Sequence, residues 1–270
     1  MLGRLPTVAV VVFLTLLTQI GGLIWLLSLC ITRPWRKRIG FAGFLVLFAS
    51  LYAAGSTLSH AVAPIFGRVP LPCFDNASRL RMQSSLYCLL NRQYVVPRLR
   101  EAALALSRQM DQVFPETTTL ALDGNFPFFD GFPLLPHLSH SDGRKLDVAF
   151  YYQDNEGRFL DKATRSPVGY FAFEQPGENS ALPCEDRRDI LTLRWDLHVL
   201  QALWRPLSLE EKRTREALRW LSDEGQGFGV EKIFVEPHLA QRLGVSAENI
   251  KFQGCRAARH DDHIHMQVAK

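Results

Sequence analysis

The sequence predicts an α+β chain in which two N-terminal transmembrane helices precede one domain with a small, mostly antiparallel sheet flanked by helices. Three observations predict this. Two long uncharged apolar runs open the chain, helical and strand periodicities are interspersed after residue 72, and no internal repeat divides the 270 residues further.

The first apolar run, Val8 to Ile31, and the second, Ile39 to Leu58, carry no charged side chain. Each reaches the roughly 20 residues that an α-helix needs to cross the hydrocarbon core. Between them, TRPWRKR holds Arg33, Arg36, Lys37 and Arg38. Basic residues in short loops stay cytoplasmic, so the loop 32–38 is expected inside, with the N-terminus and the C-terminal region outside. A cleaved signal peptide is the competing reading of the first run. Its apolar core is about 7–15 residues long, shorter than this run, and cleavage would still leave the C-terminal region outside. The expected organisation is a membrane anchor over 1–60 with helices at 8–31 and 39–58, a linker over 61–72, and one extracytoplasmic domain over 73–270.

Residues 1–67 hold five basic and no acidic side chains, which leaves a formal charge of about −1 downstream. The basic balance therefore belongs to membrane topology. No nucleic-acid partner is expected, because such binding needs a basic stripe on the folded domain. Cys30 lies in the first apolar run, while Cys73, Cys88, Cys184 and Cys255 lie in the exported region. Their even number suits two disulfides in an oxidising space. Cys73 with Cys88 is the local pairing and Cys184 with Cys255 the remainder. Three connectivities are open, as are four unpaired thiols.

Tyr94 to Phe114 has helical spacing at Val96, Leu99, Ala103, Leu106 and Met110, with Pro97 in the first turn. Thr118 to Leu122 and Leu146 to Tyr152 are β-branched or aromatic runs of strand length. A helix is expected across Leu193 to Trp204, ended by Pro206. Ser208 with Glu211 reads as a capping box that opens a helix to about Leu221. A short strand over Lys232 to Glu236 and a last strand over His263 to Val268 complete the domain.

Five of the eight histidines fall in two segments, PHLSHSDGRKLDVAF (Pro136 to Phe150) and RHDDHIHMQV (Arg259 to Val268). His60, His198 and His238 stand alone and are assigned no role. In a strand over 263–268, alternation puts His263, His265 and Gln267 on one face and Ile264, Met266 and Val268 on the other. Asp147, Ala149 and Tyr151 share a face of the earlier strand, and the turn through Ser141, Asp142 and Gly143 can fold His140 back beside Asp147. Two imidazoles and one carboxylate then leave a fourth position for water, the arrangement of catalytic zinc.

His137, His140 and Asp147 spell H-x-x-H-x6-D, and His260, Asp261, His263 and His265 spell H-D-x-H-x-H. These segments resemble those of the metallopeptidases that include lysostaphin, the D-Ala-D-Ala dipeptidases and carboxypeptidases, and the zinc site of hedgehog signalling domains. They are most similar to penicillin-insensitive murein endopeptidase, whose strand before the second segment VEKIFVEP (Val230 to Pro237) also resembles. The likeness covers about Leu120 to Lys270 and is carried by the motifs, while Cys73 to Phe114 has no counterpart.

The resemblance implies that His140, Asp147 and His265 ligate one zinc ion (Zn2+). It implies that His263 acts beside the activated water, as base or as oxyanion stabiliser, with His137 and His260 contacting substrate or supporting the site from outside. Asp261 or Asp262 would orient His263 or His260. The glutamate base that other branches use, E-x-x-H, is absent: Asp262 stands three positions before His265. The implied activity is a zinc metallopeptidase at the bacterial inner membrane, facing the periplasm and cutting peptidoglycan stem peptides. The bond would be D-Ala to meso-diaminopimelate in an endopeptidase or terminal D-Ala-D-Ala in a carboxypeptidase. A zinc-containing wall- or ligand-binding module without turnover is the alternative. Arg144, Arg256 and Arg259 are the candidates to receive a substrate carboxylate. The segment Asp123 to Leu135 either walls the cleft or packs on the core.

Overall fold

The computed structural model describes residues 4–75, 77–187 and 192–270. The first apolar run is two helices rather than one: α1 (Arg4–Thr18) and α2 (Gly21–Thr32). Gln19 adopts a left-handed backbone (φ 66°), and the Gly21 N–H donates to Thr18 Oγ1 at 2.9 Å. The chain folds back so tightly there that a Cβ on Gly22 would lie 2.0 Å from Thr15 Oγ1 and 2.5 Å from the Val11 carbonyl. At about 22 and 18 Å, both helices are shorter than the roughly 30 Å hydrocarbon core. The third helix, α3 (Arg36–Val62), runs on into a 3-10 turn, Ala63–Phe66. Among the described residues, its span Arg38–Phe66 is the one helix long and apolar enough to cross a membrane. The expected pair of spanning helices is corrected to one, because the polar Thr18–Gln19 and the Gly21–Gly22 pair interrupt the first run.

The rest of the chain is α+β. Its first strands are β1 (Val69–Pro70), β2 (Leu80–Met82), β3 (Tyr94–Val95), β4 (Thr119–Ala121) and β5 (Lys145–Ala149). There follow β6 (Tyr152–Gln153), β7 (Ser208–Leu209), β8 (Val230–Phe234), β9 (Ile250–Lys251) and β10 (His263–Val268). Six of them form one sheet in the order β2-β4-β5-β10-β8-β9, and β1–β3 and β6–β7 form two small ribbons. The central pairings, β4–β5, β5–β10 and β10–β8, are antiparallel, while the outer β2–β4 and β8–β9 are parallel.

The helices of this region are α4 (Ser85–Leu89), α5 (Pro97–Val113), α6 (His198–Gln201), α7 (Glu211–Ser222) and α8 (Pro237–Leu243). Leu99, Ala103, Leu106 and Met110 of α5 are fully buried, as are Leu218 and Leu221 of α7, and together they cover one face of the sheet. That face is built by alternation: Leu146 and Val148 of β5 stand beside Met266 and Ile264 of β10.

Two helical expectations are corrected. Of Leu193 to Trp204 only α6 is helical, and Leu197 before it is left-handed (φ 44°). The side chains there serve tertiary contacts instead: Trp204 Nε1 and Gln201 Nε2 both donate to the Phe171 carbonyl. At α7 the cap is Glu210, whose carboxylate accepts from the Arg213 N–H at 2.7 Å, while Ser208 lies in β7.

The disulfides are Cys73–Cys88 and Cys184–Cys255. A Cys73→Ala/Cys88→Ala variant opens a loop of 15 residues, which the chain-entropy account values at about 3 kcal/mol. Thermal unfolding of the full chain in detergent is expected to show a Tm lowered by several degrees.

Candidate metal centre

The register of β5 and β10 builds the site. His265 stands opposite Asp147, and His263 opposite Ala149. All three polar side chains therefore share the sheet face that the helices leave uncovered. His140 reaches this face from the turn before β5, where Gly143 is left-handed (φ 70°) and a Cβ would lie 2.4 Å from Arg68 Nε. His140 Nδ1 donates to the Gly124 carbonyl at 2.9 Å, which turns Nε2 toward the strands.

Asp147 Oδ1 is 2.8 Å from His265 Nδ1 and 3.3 Å from His140 Nε2, and those two nitrogens are 3.2 Å apart. Tetrahedral ligands about 2.0–2.1 Å from a zinc ion are about 3.3 Å from one another. The spacing, the mixed nitrogen and carboxylate donors and the complete burial thus fit a metal ion. His265 thus turns Nδ1 to Asp147 and His140, while its buried Nε2, on the other side of the ring, has no hydrogen-bond partner. A second triad, His260, His263 and His265, also brings ligand atoms within 4.8 Å of one another, so His265 is common to both.

Around these ligands lies a set of partners. Tyr170 donates its hydroxyl to Asp147 Oδ2 at 2.6 Å and accepts from the Asp123 N–H at 3.0 Å. His263 Nε2 is 3.5 Å from Asp147 Oδ1, and its Nδ1 donates to Asp262, whose other oxygen accepts from the Phe171 N–H. Asp262 is therefore the residue that orients His263. Asp261 is instead bound by Arg259. His137 Nδ1 meets Asp123 Oδ2 at 2.8 Å, and Arg92 binds the same carboxylate through two nitrogens at 2.6 and 2.7 Å. The His260 ring lies 5.0 Å from that of His263 and 5.4 Å from that of His265.

Charge within the cluster is divided. Burial pushes Asp147 up, but His140 and His263 outweigh it and hold the carboxyl well below its ordinary value. Burial pushes His263 down, but Asp147 and Asp262 more than offset this and raise it to about 9. His140 is raised in the same way, against burial, chiefly by Asp147. Burial wins for His265, lowered to about 4, and for His260, which neighbouring histidines lower further. The metal-free cluster thus carries protons at neutral pH that a metal must displace. Zinc affinity is expected to rise with pH by up to about tenfold per unit for each proton released, levelling off once His140 has lost its proton. Calorimetry in buffers of different ionisation enthalpy would count those protons.

Sequence reasoning missed Arg92, Asp123 as a partner, and Tyr170. The Arg92–Asp123 pair is buried, and removing one member of such a pair costs about 3–5 kcal/mol. Arg92→Met is expected to destabilise the fold by that amount, read by chemical denaturation.

Of the arginine candidates, Arg259 is tied to Asp261 and Asp196 and lies over the Phe173 ring. Arg144 donates to the Ala269 carbonyl at 3.3 Å. Neither these nor Arg256 lines the cavity over the histidines, which is about 70 Å³ and is roofed by Leu193, Gln253, Ala257 and Ala258. A larger cavity of about 450 Å³ lies alongside, lined by Arg194, Arg259, Glu236 and the Cys184–Cys255 bridge. The aromatic segment after Asp123 packs on itself and on the end of α3, with Phe126 against Phe132 and Phe66 against Phe128. It packs on the body of the protein instead of walling the histidine cavity.

No protein-family model matches the chain, and neither does any curated protein.

Proposed function

We propose that this chain is a membrane-anchored zinc peptidase that hydrolyses peptide bonds of peptidoglycan on the periplasmic side of the bacterial inner membrane. The observation that carries the reading is the joint placement of His140, Asp147 and His265 at ligand spacing, with His263 as a same-face neighbour held by its own carboxylate. A site kept only for stability has no need of that neighbour.

The anchor is α3, which begins within the basic segment Arg33 to Arg38, and the resemblance to murein endopeptidases supplies the substrate class. When bound, zinc lowers the pKa of a coordinated water to about 7 and polarises the scissile carbonyl. The chain's own groups do the rest. Tyr170 fixes Asp147 through Oδ2 and leaves Oδ1 facing the histidines. Asp262 accepts the Nδ1 proton of His263, so Nε2 is the atom that takes up a proton from the reacting centre. His137, held by Asp123, and the neutral His260 line the same cavity and contact the substrate.

A second reading, a zinc-containing wall- or ligand-binding module without turnover, is favoured by one observation: a cavity of about 70 Å³ is too small for a stem peptide unless its roof moves. Metal analysis of the full chain, paired with digestion of purified peptidoglycan by wild type and His263→Ala, separates the two. The peptidase reading expects about one zinc per chain in both proteins and chelator-sensitive release of muropeptides by wild type alone. Zinc without release by either protein supports the binding module.

A further inference from the structure

A second depression reaches the metal centre from the opposite side of His137. It is a groove of about 170 Å³ walled by Leu86, Leu90, Val168 and Phe171, with Tyr87 and Pro136 completing the apolar lining. Its inner end is formed by His137, Tyr170 and the Arg92–Asp123 pair. The His137 ring is 4.4 Å from that of Tyr170, 5.8 Å from that of His140 and 6.1 Å from that of His263. The groove therefore ends about two residues' length from the histidines, at roughly 3.3–3.6 Å per extended residue.

The outer wall of the groove is fastened to the apolar helix. Tyr52 of α3 donates its hydroxyl to the Leu89 carbonyl at 2.6 Å, and Asn91 Nδ2 donates back to that hydroxyl at 3.1 Å. Leu86 and Leu89, on the same short helix α4, are 44% and 58% exposed. Tyr52 lies 12 positions beyond Gly40, where the helix is broken (φ 64°), about 18 Å along the helix at 1.5 Å per residue. A hydrocarbon core is about 30 Å thick. If Arg38 marks one edge, Tyr52 and the leucines beside it lie at acyl-chain or interfacial depth, and the groove opens there.

We propose that the groove receives the hydrocarbon chain of an acylated peptide from the bilayer, so that a peptide bond close to the acyl group is presented to the metal centre. The proposal rests on the zinc-peptidase reading and adds a substrate class to it. The volume supports a partial fit: an apolar cavity of ~150 Å³ takes up benzene, so this groove holds about six carbons while the rest of the chain stays in lipid. The geometry sets the second requirement. A chain ending against His137 must be joined to the peptide within about two residues of the scissile bond.

The test uses the full chain, zinc-loaded, in vesicles of phosphatidylethanolamine and phosphatidylglycerol. The probe is an N-palmitoyl tetrapeptide with a diazirine among the first six carbons from the acyl carbonyl, beside its N-acetyl counterpart. Photocrosslinks are expected at Leu90, Val168 or Phe171, and at least tenfold fewer in Leu86→Glu and in Leu90→Glu. Leu86 is exposed, so its variant keeps the fold even where Leu90→Glu does not. Crosslinks confined to α1–α3, or groove crosslinks unchanged in Leu86→Glu, overturn the proposal. In a working peptidase the palmitoyl peptide is also cleaved at least tenfold faster than the acetyl one, and Leu86→Glu removes that preference. Groove crosslinking with no cleavage of either peptide would instead overturn the peptidase reading and leave the groove assignment standing.

Discussion

Asp147→Ala is expected to empty the metal centre. Its carboxylate is the common neighbour of His140, His263 and His265 and the acceptor of the Tyr170 hydroxyl. Without it, His140 and His263 lose the charge that raises them, and the two remaining ligands face each other with no anion between them. The loss of zinc affinity should exceed the roughly 10–100-fold that follows removal of a mere outer-shell partner. After dialysis the variant is expected to hold less than about a tenth of an equivalent, measured by elemental analysis. Asp147→Asn keeps the shape and should show the same loss, which separates an absent ligand from a collapsed fold. Wild-type zinc content in both variants would remove Asp147 from the ligand set.

His263→Ala tests the other half of the site. Zinc content should stay at about one equivalent, because this imidazole is outside the His140–Asp147–His265 set. Peptidoglycan cleavage should fall about 10²–10⁴-fold, the usual share of a positioned acid or base, mainly in kcat. The limb of the pH profile that rises with deprotonation of His263 should vanish with it. Asp262→Asn, which keeps the imidazole but weakens its hold, should give a smaller loss. If His263→Ala loses its zinc instead, the second triad with His260 is the one that binds.

The meeting of His263, His265 and Asp147 on one face is legible in the sequence because strand alternation is a local rule. HIHMQV fixes which side chains of β10 share a face, and the antiparallel register then brings His265 beside Asp147. Arg92, Asp123 and Tyr170 could not be found this way. They lie on different segments, converge through loops, and obey no period. Their one local hint is an acidic residue just past a strand end. The choice between Asp261 and Asp262 was also beyond sequence, since adjacent carboxylates are sorted only by where Arg259 and Phe171 happen to sit. The break at Gln19 was legible in principle. A glutamine followed by two glycines inside an apolar run signals a reversal, but run length alone favours one continuous helix. The unwound segment 193–204 failed for the opposite reason: its helical spacing is real, and tertiary hydrogen bonds from Gln201 and Trp204 override it.

β5 and β10 occupy the middle of the six-strand order, each paired on both sides. Amides in such central strands open only with the whole domain, so their hydrogen exchange should be the slowest in the chain. The cradle for the ion therefore stands on the part of the molecule that comes apart last. Stripping zinc with a chelator should leave the far-ultraviolet circular dichroism unchanged, and reloading should be a simple uptake with no refolding phase. A metal bound by these residues would enter a site already built, unlike the small zinc domains whose fold exists only while the ion is held.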